Sequence, residues 1–139
     1  MPIITKTQTI QTPAEGFVGI TNKIQYIINE IIYDNHLDAA TFDGSVTIFA
    51  PHTTAAITIN ENADPDVQHD FLIHLNEAVQ QNIEFVHENA HAHIKSSLVG
   101  CSETLLIHEG KLMLGTMQAI YFCEFDGPRT RSFIVQVTY

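Results

Sequence analysis

The chain has 139 residues, 45% of them apolar, with sixteen acidic side chains against six basic ones and a formal charge of −10. That length fits one domain over residues 1–139, and the apolar fraction is enough for a core, which excludes bulk disorder. The charge argues against electrostatic binding of nucleic acid or an anionic membrane. It leaves open an anionic small substrate, because a metal or a local cluster can reverse the field.

In chain order, Ile3 to Thr12 is rich in β-branched residues and reads as a strand up to Pro13; Gly16 and Gly19 then punctuate. Thr21 is placed to cap a helix running to about His36, with Ile24, Ile27, Ile28, Ile31 and Ile32 as its 3.6-residue apolar stripe. Asp43-Gly44 marks a turn, and Ser45–Ala50 and Ala55–Asn60 read as strands. Asp64-Pro65 combines an N-cap with proline at the first helical position, ahead of a stripe of Val67, Phe71, Leu72, Leu75, Ala78 and Val79. A short helix is expected from Ala90 to Leu98, ending at Gly100. Strands follow over Glu103–His108, Lys111–Leu114, Met117–Phe125 and Ser132–Tyr139, with turns at Glu109-Gly110 and at Asp126-Gly127-Pro128. The Met117–Phe125 strand alternates in the half-buried manner. The order predicts an α+β fold: a largely antiparallel β-sandwich or barrel-like sheet with about three flanking helices.

Cys101 and Cys123 lack CxxC spacing, so neither a disulfide framework nor a cysteine zinc site is expected, and Cys123 reads as a core residue. The N-terminus MPIITKTQTI has no secretory pattern and no apolar run is long enough for a bilayer, so a cytoplasmic protein is expected.

The segment FAPHTTAAITINENADPDVQHD, Phe49 to Asp70, carries the densest chemistry. His52 follows a proline at a strand end, with the hydroxyls of Thr53 and Thr54 beside it. A neutral imidazole there can ligate a metal or act as a general base. Asn60 and Glu61 end the next strand. If the two strands form a hairpin, Glu61 meets His52 only through further packing or across a subunit boundary. His91 and His93 are two apart, so a regular helix points them to different sides and only one can serve a given ion. Lys95 supplies a cation for phosphate, and Ser96 and Ser97 supply hydroxyls. The alternative for this cluster is a solvated helix start. Gly115 allows a close backbone approach or simply turns the chain. Arg129 and Arg131 can clamp an anion or form surface ion pairs.

Taken together, HTTAAITINENADPDVQHD, HIKSSLVG and the G-x-L-x-L-G-T-x-Q run from Gly110 to Gln118 resemble the YjbQ family, described as secondary thiamine-phosphate synthases. The resemblance spans nearly the whole chain in the same order. It implies an α+β fold built on a β-sandwich, a compact homotrimer, and a polar pocket that includes His52 and His93. Asn60, Glu61, Asp64 and Asp70 match the family's NE..DP.V..D pattern; Lys95, Ser97, Gly100, Ser102, Gly115 and Gln118 match the later motifs. Met117 stands where the family usually has tryptophan. The segment from Val86 to Ala92 is shorter than the insert many members carry, with His87 aligned to a histidine at its start.

The activity this implies is weak thiamine-phosphate synthesis: a pyrimidine methyl diphosphate is joined to a thiazole phosphate with release of pyrophosphate. His52, Glu61, His93 and Lys95 are the expected catalytic residues. Thr53, Thr54, Asn60, Ser97, Gln118 and Arg129 are the expected substrate or phosphate contacts. His52, His93, Asp64 and His87 are the expected ligands of a divalent metal. The carboxylates suit magnesium and the imidazoles suit zinc. The rival expectation is a non-catalytic metal- or anion-binding trimer.

Overall fold

The computed structural model describes residues 1–62, 64–79 and 85–139. Strands are β1 (Ile3–Gln11), β2 (Gly16–Gly19), β3 (Gly44–Phe49), β4 (Ala55–Glu61), β5 (Ser102–His108), β6 (Lys111–Leu112), β7 (Gln118–Glu124) and β8 (Thr130–Thr138). Helices are α1 (Thr21–Asp34), α2 (Pro65–Ala78) and α3 (Ala90–Val99). A five-stranded sheet has the order β1-β8-β3-β5-β6 and a three-stranded sheet the order β2-β7-β4, with every pairing antiparallel. The fold is α+β, as expected.

The isoleucine stripe of α1 makes the main core. Ile24, Ile27, Ile28, Ile31 and Ile32 are buried among Val46 and Ile48 of β3, Leu105 and Ile107 of β5, Phe133, Val135 and Val137 of β8, and Ile57, Ile120 and Phe122 of the smaller sheet. Fully burying one such side chain is worth about 1.5–3 kcal/mol, which outweighs isoleucine's modest helix propensity. The expected Thr21 cap is not made. The Thr21 hydroxyl instead accepts the Ile120 amide at 2.8 Å, so β7 pins the start of α1. Asp64 does cap α2, accepting the Asp66 amide at 2.9 Å.

β7 is not half-buried. Ala119 through Phe125 are all buried, because a second cluster of Ala56, Ala92, Cys123 and Phe125, with Leu72, Leu75 and Val99, covers the other face of the smaller sheet. Gly16–Gly19, read as punctuation, forms β2 on the β7 edge, with Phe17 opposite Cys123. β3 and β4 are not a hairpin; they belong to different sheets. Residues 50–54 cross between the sheets, and the α3–β5 junction holds that crossing in place. The Ala50 amide donates to the Cys101 carbonyl at 2.8 Å and the Ile57 amide to the Gly100 carbonyl at 3.0 Å. Gly100 has φ +102°, a conformation that disfavours any side chain there. No helix among the described residues is long and apolar enough to cross a membrane.

Candidate functional site

That crossing forms one wall of an open cavity of about 720 Å³, lined by residues 49–54, Asn89 and His93 of the α3 end, Cys101, Asp126, Arg129 and Arg131. A second cavity of about 480 Å³ shares His52, Thr53, His93 and Cys101 with it and adds Ser96, Ser97 and Gly100. His52 and His93 therefore meet in one site, on residues 41 positions apart in sequence.

His52 is fixed by its ring nitrogen Nε2, which lies 2.9 Å from the Ser132 carbonyl oxygen and 3.1 Å from the Ser132 amide nitrogen. Whichever tautomer is present, Nε2 is committed to β8, and Nδ1 is the nitrogen left for a ligand. The ring also stands edge-on to Phe122 at 6.2 Å. His93 is exposed on α3. α3 is itself anchored by the Ser96 hydroxyl, which donates to the Ala55 carbonyl at 2.6 Å.

The opposite wall comes from the β7–β8 turn. Gly127 is packed there so closely that a Cβ would sit 2.0 Å from the Pro13 carbonyl oxygen. Arg129 donates from Nε to the Asp126 carbonyl (2.6 Å) and from Nη2 to the Asp126 carboxylate (3.0 Å). Asn89 donates to the same carboxylate at 3.1 Å. Burial pushes the Asp126 carboxyl up, but these two hydrogen bonds and the charges of Arg129 and Arg131 outweigh it, so it sits below the ordinary range and stays ionised. Arg131 is buried and donates to the Thr54 hydroxyl at 2.7 Å and to Glu124. Thr54 thus orients an arginine, while Thr53 is exposed on the cavity.

The other expected site residues lie elsewhere. Lys95 is fully buried and turned away from the cavity, donating from Nζ to Glu15 at 3.0 Å and to the Asn76 side-chain oxygen. Asn60 and Glu61 end β4, roughly 20 Å along the strand from its His52 end at ~3.3 Å per residue. Gln118 pairs with Glu61 in register, and its side chain accepts the Gly115 amide at 2.8 Å, closing a turn. Asp64 is occupied as the α2 cap. His87 is exposed and lines neither cavity. No group of three histidine, cysteine, aspartate or glutamate side chains among the described residues is placed to hold a metal ion. The described donors of one chain therefore do not by themselves build a site for the expected metal. Asn89, Cys101 and Asp126 line the cavity although none of them was expected as a site residue. His91 lies on the Lys95 side of α3, and its Nδ1 is buried without a hydrogen bond among the described residues.

Fold and site together define an α+β protein whose two sheets are joined at a polar, arginine- and histidine-lined cavity. The chain belongs to the family described as UPF0047 protein YjbQ-like, whose profile matches residues 6–139. It is 48% identical over 134 residues to UPF0047 protein MJ1081 of Methanocaldococcus jannaschii, covering 95% of this chain and 91% of that one. It is 41% identical over 136 residues to UPF0047 protein YugU of Bacillus subtilis, covering 95% and 97%. Its structure is similar to that of an uncharacterized YjbQ/UPF0047-family protein from Clostridium acetobutylicum, with a TM-score of 0.86 at 43% identity, covering 96% of this chain and 99% of that one. A YbjQ-like protein of unknown function from Sulfolobus solfataricus aligns with a TM-score of 0.85 at 27% identity, covering 98% and 96%.

Proposed function

We propose that the His52–His93 cavity binds phosphorylated small molecules and supports the weak thiamine-phosphate-synthase-type transfer that the family resemblance implies. One observation carries this reading. Both arginines of a strongly acidic chain line the same cavity as His52 and His93. In the reaction, the thiazole nitrogen's electron pair forms a bond to the pyrimidine methylene carbon. The carbon–oxygen bond to the diphosphate breaks, and pyrophosphate leaves with that electron pair. Arg129, Thr53 and Ser97 meet phosphate oxygens, while His93 and the His52 Nδ1 face the charge that develops on the leaving group. Since the described donors of one chain do not build a metal site, a divalent cation enters with the diphosphate substrate.

The rival reading, a non-catalytic anion-binding homotrimer, is favoured by Glu61. Its carboxylate sits at the far end of β4, so the cavity of one chain lacks the expected catalytic acid. The trimer itself rests on the family resemblance and on exposed Phe49, Ile94, Leu98 and Leu106, whereas the stretch from Ala119 to Phe125 is buried within the chain. Incubating the protein with both substrates and magnesium, with His93→Ala as control, separates the two readings. Thiamine phosphate formed by the wild type and lost in the variant supports transfer; phosphate binding without product supports the rival.

A further inference from the structure

Beneath the cavity, β7 and β8 face each other from different sheets through one ion pair. Glu124 is fully buried and Arg131 is 7% exposed. Glu124 accepts Arg131 Nε at 2.7 Å, Arg131 Nη2 at 2.5 Å, the Thr12 hydroxyl at 2.5 Å and the Asp126 amide at 3.0 Å. Four donors fill the carboxylate's acceptor sites. The remaining Nη2 hydrogen goes to the Thr54 hydroxyl. Arg131 thus has three of its five donor hydrogens satisfied by the protein.

The other two, on Nη1, have no acceptor among the described residues. Nη1 is not sealed off, because the buried polar side-chain atom left unpartnered among the described residues is His91 Nδ1. Arg131 lines the cavity, and Nη1 is its one nitrogen not engaged by the protein among the described residues. A pair needed only to join two sheets would not require a guanidinium with one nitrogen left over. Apolar residues of similar volume often replace buried pairs with no loss of stability. The surplus donors point to a ligand.

Resting on the reading of this cavity as a phosphate site, we infer that Arg131 is its fixed anchor and that the group it holds is a phosphate monoester. Glu124 and Thr54 lock the guanidinium plane, so Nη1 meets phosphoryl oxygens with little ordering left to do. The charge balance selects the monoester over a diphosphate. Glu124 cancels Arg131 and Asp126 cancels Arg129, so the cavity offers directed donors without surplus fixed positive charge. Each ligand charge then goes uncompensated by fixed groups, so a monoester's two charges cost less than the greater charge of a bare diphosphate. Arg131 acts on substrate position and selectivity through these contacts.

The test is calorimetric titration of inorganic phosphate, and of pyrophosphate without divalent cations, into the wild type and the double variant Arg131→Met/Glu124→Leu. Removing both charges leaves no uncompensated ion in the core. The variant is expected to unfold cooperatively and to lose phosphate affinity by about tenfold or more, and the wild type to bind pyrophosphate no more tightly than phosphate. Wild-type phosphate affinity in the double variant overturns the anchor while leaving the cavity reading standing; that reading fails separately if the wild type binds no phosphate. A tenfold preference for bare pyrophosphate overturns the monoester assignment. A second measurement does not depend on the double variant folding. The chain has two arginines, so in Arg129→Gln the one guanidinium signal in a nitrogen-15 spectrum is that of Arg131. It should move on adding phosphate, and a signal unmoved at saturation overturns the inference.

Discussion

The Nε2 of His52 meets both backbone polar groups of Ser132, at 2.9 Å from the carbonyl oxygen and 3.1 Å from the amide nitrogen. A cavity histidine is thereby also a tie between the sheet crossing and β8. His52→Ala should cost about 1 kcal/mol from the lost hydrogen bond and ring contact, and should weaken phosphate binding. Ile28→Ala, in the core, should cost roughly 2–5 kcal/mol and leave binding intact. Denaturant unfolding with phosphate titration on both variants checks this. A His52→Ala protein that binds phosphate normally would make His52 purely structural.

Lys95→Met should behave oppositely to a catalytic change. The buried ammonium holds Glu15 and Asn76 together, and its loss should cost roughly 1–3 kcal/mol, while phosphate affinity stays at the wild-type value. A loss of affinity at unchanged stability would return Lys95 to the site.

Glu124→Ala leaves the Arg131 charge buried and unpaired, a loss of about 3–5 kcal/mol. The double change Arg131→Met/Glu124→Leu should fall within about 2 kcal/mol of wild type. Urea midpoints for the two proteins decide whether the pair is needed for stability or only for binding.

Acid should destabilise the fold in two stages. Burial and the Lys95 charge hold His91 below its usual 6.5, only partly opposed by Glu15 and Asp126. With the folded value depressed, the unfolded state takes up the proton first, so stability is present above 6.5 and is lost as pH falls through the folded value. Burial raises the Glu124 carboxyl, but hydrogen bonds from Arg131, Thr12 and the Asp126 amide, with the Arg131 charge, bring it below 4.5. Its contribution is present above 4.5 and is lost as pH falls further. Urea midpoints against pH should show both stages, and His91→Leu should flatten the first. An unchanged first stage in that variant would assign it to other histidines.

What the sequence made legible follows from locality. The α1 stripe, the Asp64 cap and the Gly100 stop are each written within a few neighbouring residues. β2 was not legible, because four residues with two glycines show no period and their partner strand begins about a hundred residues later. The double burial of β7 depends on α2 and α3 arriving from elsewhere. At the site, His52 and His93 were legible as residues but not as neighbours across the sheet crossing. The two-residue spacing that separates His91 from His93 on a helix separates His93 from Lys95 as well. Applied to both pairs, it puts His91 and Lys95 on one face and His93 on another, which is what α3 shows. The distance from His52 to Glu61 follows from β4 itself, whose seven extended residues separate the sheet crossing from Glu61 whether or not β3 and β4 pair.

A crystal structure of the protein grown with a phosphate monoester tests the central claim most directly. The account predicts phosphate oxygens within hydrogen-bond reach of Arg131 Nη1, between His52 Nδ1 and the His93 ring. Phosphate bound instead at the Glu61–Gln118 end of β4, with the His52 cavity holding only water, would contradict it.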